Sequence, residues 1–377
     1  MIKTMFKTKI SILSICLLML LALAANAQDD LQKGKTAIQN GDFVTAVNVL
    51  SKAAEKNKNY ETYYYYGIAL FRTGSLAKAE EILKKALADD DEGVGAMITL
   101  GNLYSSQKKY DEANSIFKRG LKIEPDNILL LVSQSENFSA QGKIDNAIQA
   151  LTLATTIEKD NPLIYIGLGD AYRTRGSFKA AADYYKKALD LKKMPLAYYG
   201  LGESFAKQRK YNEAIAEYDK AIALNPNFAL AYFGKGKILY FGGQFGDALE
   251  AFKKYSELMP GSQEGNSYYA KVLYAQGVYY SDRNKNDLAN EKFNEALKIL
   301  DDVLKNDPKS ITGNLYNAYI FAEKAEIDDV NKAEFLNKAL DYFAKVDMKE
   351  YDEEDLQVLA KVNSNLTKYD EADKYFK

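Results

Sequence analysis

The sequence predicts an all-α protein, a solenoid of stacked antiparallel helix pairs. Three observations predict it. A small residue is followed twelve places later by Ala in copy after copy, and successive alanines stand 33 or 34 residues apart. Large apolar residues stand three before and four after these alanines, the offsets that place side chains on one helix face. Only 6 Pro occur in 377 residues while Tyr reaches 29, so helices run uninterrupted and aromatic rings are available to pack them.

Residues 1–27 read as an export signal. Lys3, Lys7 and Lys9 precede an apolar stretch from Ile10 to Ala25, and Ala25-Asn26-Ala27 supplies small residues ahead of cleavage before Gln28. The stretch is shorter than the ~20 apolar residues of a membrane span and contains Ser11 and Ser14, which argues against a retained anchor. Leu13-Ser14-Ile15-Cys16 faintly resembles a lipidation motif, but bulky Ile15 stands where a small residue belongs. The whole chain has a formal charge of -2, and the segment removes three lysines and no acid, leaving -5. The mature chain is expected to be periplasmic or secreted, without stable membrane insertion. It has no cysteine, so packing alone must hold it.

Seven repeats follow over 28–262. Their small-residue and alanine pairs are Gly34 with Ala46, Gly67 with Ala79, Gly101 with Ala113, Ser135 with Ala147, Gly169 with Ala181, Gly202 with Ala214, and Gly236 with Ala248. Two helices approach closely only where one lacks bulk, so each small residue makes room for a ring or aliphatic group such as Phe117, Leu151, Tyr185, Tyr218 or Phe252. Gly74, Gly142, Gly176 and Gly243 fall between the two helices of a unit, where a helix end favours positive φ. Pro125, Pro162, Pro195, Pro226 and Pro260 fall between units, where a helix stops or starts.

Residues 263–377 read as divergent helical repeats and a cap. Ala289 lies 41 residues past Ala248, seven more than the period, and seven residues is about two helical turns, which preserves the buried face. The second helix of this unit runs long, toward Leu304 before Pro308. Residues 311–346 read as a further helix pair broken near Ile327-Asp328-Asp329. Tyr369, Ala372 and Phe376 restore the pattern briefly, among polar residues suited to a solenoid end.

The chain resembles the tetratricopeptide repeat proteins. Residues 94–127 carry the resemblance best, with Met97, Leu100-Gly101, Tyr104, Tyr110, Ala113, Phe117 and Pro125, and residues 195–228 match as well. Tyr63, Tyr165, Tyr198 and Tyr232 stand where the family has Trp. The resemblance implies a right-handed superhelix whose concave face binds peptide segments or partner subunits, with contacts from the exposed side of each first helix.

Composition excludes much else. There is no His and one Cys, so serine–histidine triads, cysteine proteases and His- or Cys-based zinc sites cannot be assembled. Near-neutral charge argues against nucleic acid. No cofactor, metal or catalytic residue is expected. Asp89-Asp90-Asp91-Glu92 lacks the glycine and alternation of a calcium loop and reads as a solvated turn.

Carried onto this chain, one row of the first helices reads Leu31, Tyr64, Ile98, Val132, Ile166, Tyr199 and Phe233. Packing between repeats competes with ligand contact for its aliphatic members, whereas Tyr64, Tyr199 and Phe233 are the expected ligand contacts. Of the run Tyr63-Tyr64-Tyr65-Tyr66, at least two rings are expected in the core. The next row reads Asn102, Glu136, Asp170, Glu203 and Lys237, an acidic edge with solubility as its alternative role. Gly167, Gly200 and Gly234 would let a ligand backbone approach. Basic ligand residues beside aromatic or aliphatic anchors would fit, whereas a clamp for a chain-terminal carboxylate would need cations along the row. The expected function is a non-enzymatic protein–protein interaction scaffold of the cell envelope. A lipid-anchored assembly factor, or a carbohydrate-binding or hydrolytic protein using tyrosines and carboxylates, is the alternative.

Overall fold

The computed structural model describes residue 26 and residues 28–366. The expected export signal, save Asn26, and the terminal residues Tyr369, Ala372 and Phe376 lie outside them. Every regular element among the described residues is a helix. The chain divides into two compact units between Lys192 and Lys193, within the seven-repeat region.

The first unit holds five antiparallel pairs. These are α1 (28–39) with α2 (Phe43–Lys56), α3 (Tyr60–Arg72) with α4 (Leu76–Asp89), α5 (Val94–Ser106) with α6 (Tyr110–Ile123), α7 (Ile128–Ala140) with α8 (Ile144–Ile157), and α9 (Pro162–Thr174) with α10 (Phe178–Leu191). Asn59, Asn127 and Asn161 start α3, α7 and α9 by accepting hydrogen bonds from Thr62, Leu130 and Leu163 backbone N–H groups. Pro162 occupies the first turn of α9, where its missing donor costs nothing. Asp89 and Asp90 accept from the backbone N–H groups of Tyr60 and Glu92, so this acidic run is built into turns.

The second unit holds α11 (Pro195–Lys207) with α12 (Tyr211–Leu224), α13 (Ala229–Phe241) with α14 (Phe245–Leu258), α15 (Gln263–Ser281) with α16 (Asn286–Asn306), and α17 (Ile311–Ile327) with α18 (Lys332–Phe343). The expected extension is there: α15 has 19 residues and α16 has 21, against 13 and 14 in α13 and α14. A 3-10 turn at Met348–Glu350 and α19 (Glu353–Asn365) follow, and the sequence reading missed both. Asp352 and Asp355 form a reciprocal cap at the start of α19, and Asp355 also accepts from the Tyr319 hydroxyl.

The packing rule read from the period is the one the fold uses. Ala46, Ala79, Ala113, Ala147, Ala181, Ala214, Ala248 and Ala289 are all fully buried, as are Phe117, Leu151, Tyr185, Tyr218, Phe252 and Phe293. A Cβ on Gly169 would lie 2.7 Å from the Tyr185 ring, and one on Gly277 would lie 2.3 Å from Phe293, so only glycine permits these approaches. The turn between paired helices recurs at positive φ even where glycine is absent: Lys108, Arg209 and Asn284 take φ of 61°, 61° and 55° at the places occupied elsewhere by glycine.

Candidate interaction site

The row after the small residues is where the side chains of α7, α9, α11 and α13 differ most. In α9, Asp170 accepts a 2.7 Å hydrogen bond from the buried Tyr185 hydroxyl and a 3.1 Å bond from the Arg173 guanidinium. Burial, and then the Asp170 charge, push the Tyr185 phenol upward, which keeps it a neutral donor. In α11, Glu203 accepts from the Tyr218 hydroxyl at 2.5 Å. These two carboxylates thus satisfy hydroxyls that the fold buries. Leu151 stands where Tyr185 and Tyr218 stand, and it offers nothing to Glu136. Glu136 is exposed, yet protein replaces much of its surrounding water; that loss of water first, and Asp170 second, push its carboxyl up to about 7. Asn102, in the same repeat as Phe117, is half-buried.

The apolar row turns out to be chiefly packing. Leu31 and Ile166 are buried, and Ile98 and Val132 pack half-buried against the core. Phe233 corrects the expectation of a ligand contact: it is 6% exposed, with its ring 4.9 Å from Tyr255 and 5.5 Å from Tyr268. A large residue here fills the gap to the next pair, so it is a core residue. Tyr64 is half-buried, stacks on Tyr60 at 5.7 Å and lies over Gly95, where a Cβ would meet its ring at 2.9 Å. Tyr199 is half-buried at 5.9 Å from both Tyr218 and Phe228. Of Tyr63-Tyr64-Tyr65-Tyr66 only Tyr66 is buried; the other three lean half-buried on the core, one fewer inside than expected. Gly167 and Gly234 do not open toward a ligand, since a Cβ on them would meet Leu151 at 2.8 Å and Tyr218 at 2.7 Å.

The second unit brings Glu203 and Lys237 together at a cleft of about 580 Å³ between α11, α12 and α13, with Tyr268 of α15 on its wall. Its apolar lining includes Ile215 and Ile238, and two rings stand open to water: Phe241, 74% exposed, and Tyr211, 51% exposed. Sequence reasoning missed Phe241 and Tyr268, and the rule of a large residue three before each alanine, here Ala214, read Tyr211 as packing. The available signal was Phe241 itself, an aromatic residue at the last position of α13 that no repeat rule requires. The lining suits binding: rings and aliphatic groups give apolar area, and one acid, Glu203, with two bases, Lys207 and Lys237, fixes orientation. No group of three or more acidic, His or Cys side chains that could hold a metal stands among the described residues. No described helix is long and apolar enough to cross a membrane.

Comparison with known proteins agrees with the helix pairs. Two sequence families, both described as tetratricopeptide repeat, match residues 37–94 and 74–133, and residues 133–193 and 199–262. No curated protein matches the chain. A tetratricopeptide repeat protein from Parabacteroides merdae is similar in structure, with a TM-score of 0.53, 17% identity, and coverage of 66% of this chain and 98% of that one. Human IFIT1, solved as a dimer with m7Gppp-AAAA, gives a TM-score of 0.53 at 17% identity over 91% of this chain and 79% of its own. Cut9 with Hcn1, an APC/C hetero-tetramer, gives 0.52 at 20% identity, covering 76% of this chain and 54% of that one. At these identities the structural likeness concerns fold alone. The family matches run through the same repeats whose glycines, alanines and rings interlock above, and on that ground the chain belongs to the tetratricopeptide repeat family.

Proposed function

We propose that the protein is a non-enzymatic interaction scaffold of the cell envelope, exported by residues 1–27, which holds a peptide segment or a subunit of a partner protein. Repeat proteins of this family are generally scaffolds, and the residues lining the cleft are those of a binding surface. The observation that carries the reading is the cleft of the second unit, where Phe241 and Tyr211 stand exposed beside Glu203 and Lys237. Exposed rings over an apolar recess lose water-contacting area when a partner covers them, at ~25 cal/mol per Å². The Tyr218 hydroxyl that meets Glu203 in the lining belongs to a fully buried side chain, so the pair reads as structural and not as a nucleophile with its base.

Site-specific photo-crosslinking in living cells tests this. A photoreactive residue at Phe241 is expected to capture one protein partner reproducibly, and the same residue at exposed Lys179 is not. Equal capture at both positions overturns the site. N-terminal sequencing of the mature protein is expected to begin at Gln28; a start at Met1 or at lipid-modified Cys16 overturns the export reading.

A further inference from the structure

On the second unit the row that begins acidic becomes basic. Lys237 is followed 34 residues later by Lys271, so α13 and α15 place the two cations at the same register of consecutive first helices. The longer α15 hides this, because its glycine and alanine follow a 41-residue step while Lys271 keeps the regular one.

Neither cation has a carboxylate within ion-pair distance among the described residues. That is unlike their neighbours, since Lys235 pairs with Asp219 at 2.7 Å, Lys254 with Glu257 at 3.2 Å and Lys292 with Glu291 at 2.9 Å. Rings surround them instead. The Lys237 ammonium lies 4.6 Å from the Phe233 ring centre, and Lys271 lies between Tyr268 at 5.3 Å and Tyr316 at 5.1 Å. Phe233 and Tyr268 are themselves in edge contact at 5.5 Å, so the two half-buried cations rest on one continuous ring cluster that reaches the cleft wall at Tyr268. Both side chains are half-buried. Burial pushes the Lys271 ammonium below its usual range, which is the sign of a cation that has lost water without gaining an anion. Ring faces return part of that loss. A ligand carboxylate would return more, through charge-assisted hydrogen bonds in a site already stripped of water.

We propose that Lys237 and Lys271 receive acidic side chains of an extended partner segment, whose neighbouring apolar residue enters the cleft beneath Phe241. This rests on the scaffold reading and names the chemistry of its partner: Asp or Glu alternating with aromatic or aliphatic residues. Charge complementarity chooses the occupant, because a basic segment would bring like charge against two unpaired ammonium groups. Glu203 makes no ion pair with either ammonium, since its carboxylate, still charged, accepts from the Tyr218 hydroxyl.

The test uses the full mature chain and four dye-labelled peptides: Gly-Glu-Leu-Glu-Phe-Glu-Gly, its Gln counterpart and its Lys counterpart, all with amidated C-termini, and the Gln counterpart with a free C-terminal carboxylate. Fluorescence anisotropy is expected to show the Glu peptide binding at least ~10-fold tighter than any of the others, with the advantage shrinking as salt rises. Lys271→Gln and Lys237→Gln are each expected to weaken the Glu peptide ~5-fold or more while leaving the Gln peptide unchanged, and Lys254→Gln to leave both within about 2-fold. Lys271→Met, which keeps the volume between the rings, separates lost charge from lost packing, and circular dichroism confirms that each variant folds. Equal affinity for the Glu and Gln peptides overturns the proposal, as does tighter binding of the Lys peptide; in both cases the cleft remains a peptide site. Binding of the Gln peptide only with a free C-terminal carboxylate also overturns it, in favour of a chain-terminus clamp. No binding by any peptide, together with failed crosslinking at Phe241, overturns the scaffold reading as well.

Discussion

The fourth and fifth repeats, both in the first unit, share one plan and differ in whether the second helix carries a hydroxyl opposite the acid. Each has a small residue on its first helix, Ser135 or Gly169, a buried alanine twelve places on, Ala147 or Ala181, and a carboxylate directly after the small residue, Glu136 or Asp170. The difference lies on the second helix. Tyr185 carries a hydroxyl that Asp170 must satisfy, and Leu151 carries none, so Glu136 is left without that task. Identical periodicity therefore produced a structural acid in one repeat and an unattached acid in the next. The role of a row residue is set by its partner across the helix pair and cannot be taken from its place in the row.

The shared part of the design is the place for the largest effects. Ala147→Leu and Ala181→Leu each force a branched side chain into a helix junction with no exposed surface, and each is expected to cost ~1 to 3 kcal/mol in denaturant unfolding. A cost in one repeat with none in the other would show that the two junctions are not equivalent. The differing part comes next. Tyr185→Phe removes a donor to a carboxylate that water can partly reach, so a loss of about 1 kcal/mol is expected. A double-mutant cycle with Asp170→Asn isolates that bond, and a coupling energy near zero would refute the assignment.

What could be read from the sequence follows the same division. The helix pairs, their turns and the interlock of Gly169, Ala181 and Tyr185 were legible because each involves one repeating offset within a unit. Phe233 was misread because the repeat period aligns a row without fixing how far it rotates toward the neighbouring pair, and at 6% exposure the rotation buries it. Phe241 escaped because it lies at a helix end, where the pattern places few constraints, and Tyr211 because the apolar position three before Ala214 falls on the first residue of its helix, where it stays 51% exposed. Lys271 escaped because the alanine register shifts by seven across α15 and the cation does not. The bond from Tyr185 to Asp170 needs two residues fifteen apart on facing helices, and no single-helix periodicity contains it.

The smallest effect expected is also the one that separates the two acids by sign. Glu136 titrates near 7 in the folded chain and close to ~4.3 when unfolded, so between those values the folded state holds more protons. Its contribution to stability is complete below about pH 4, falls as pH rises through about 7, and stays lost above that. Because the side chain is accessible to water, solvent screening reduces the penalty well below a full conversion of the shift, to about 0.5 kcal/mol. Glu136→Gln should therefore match the parent near pH 4 and exceed it by that amount at pH 8. Asp170→Asn should do the opposite at pH 8, because it weakens the acceptor of Tyr185 and Arg173 and so destabilises the fifth repeat. Urea unfolding of both variants at the two pH values decides it. Destabilisation by Glu136→Gln at pH 8 would mean that Glu136, too, is held by a structural partner, and the contrast between the two repeats would fail.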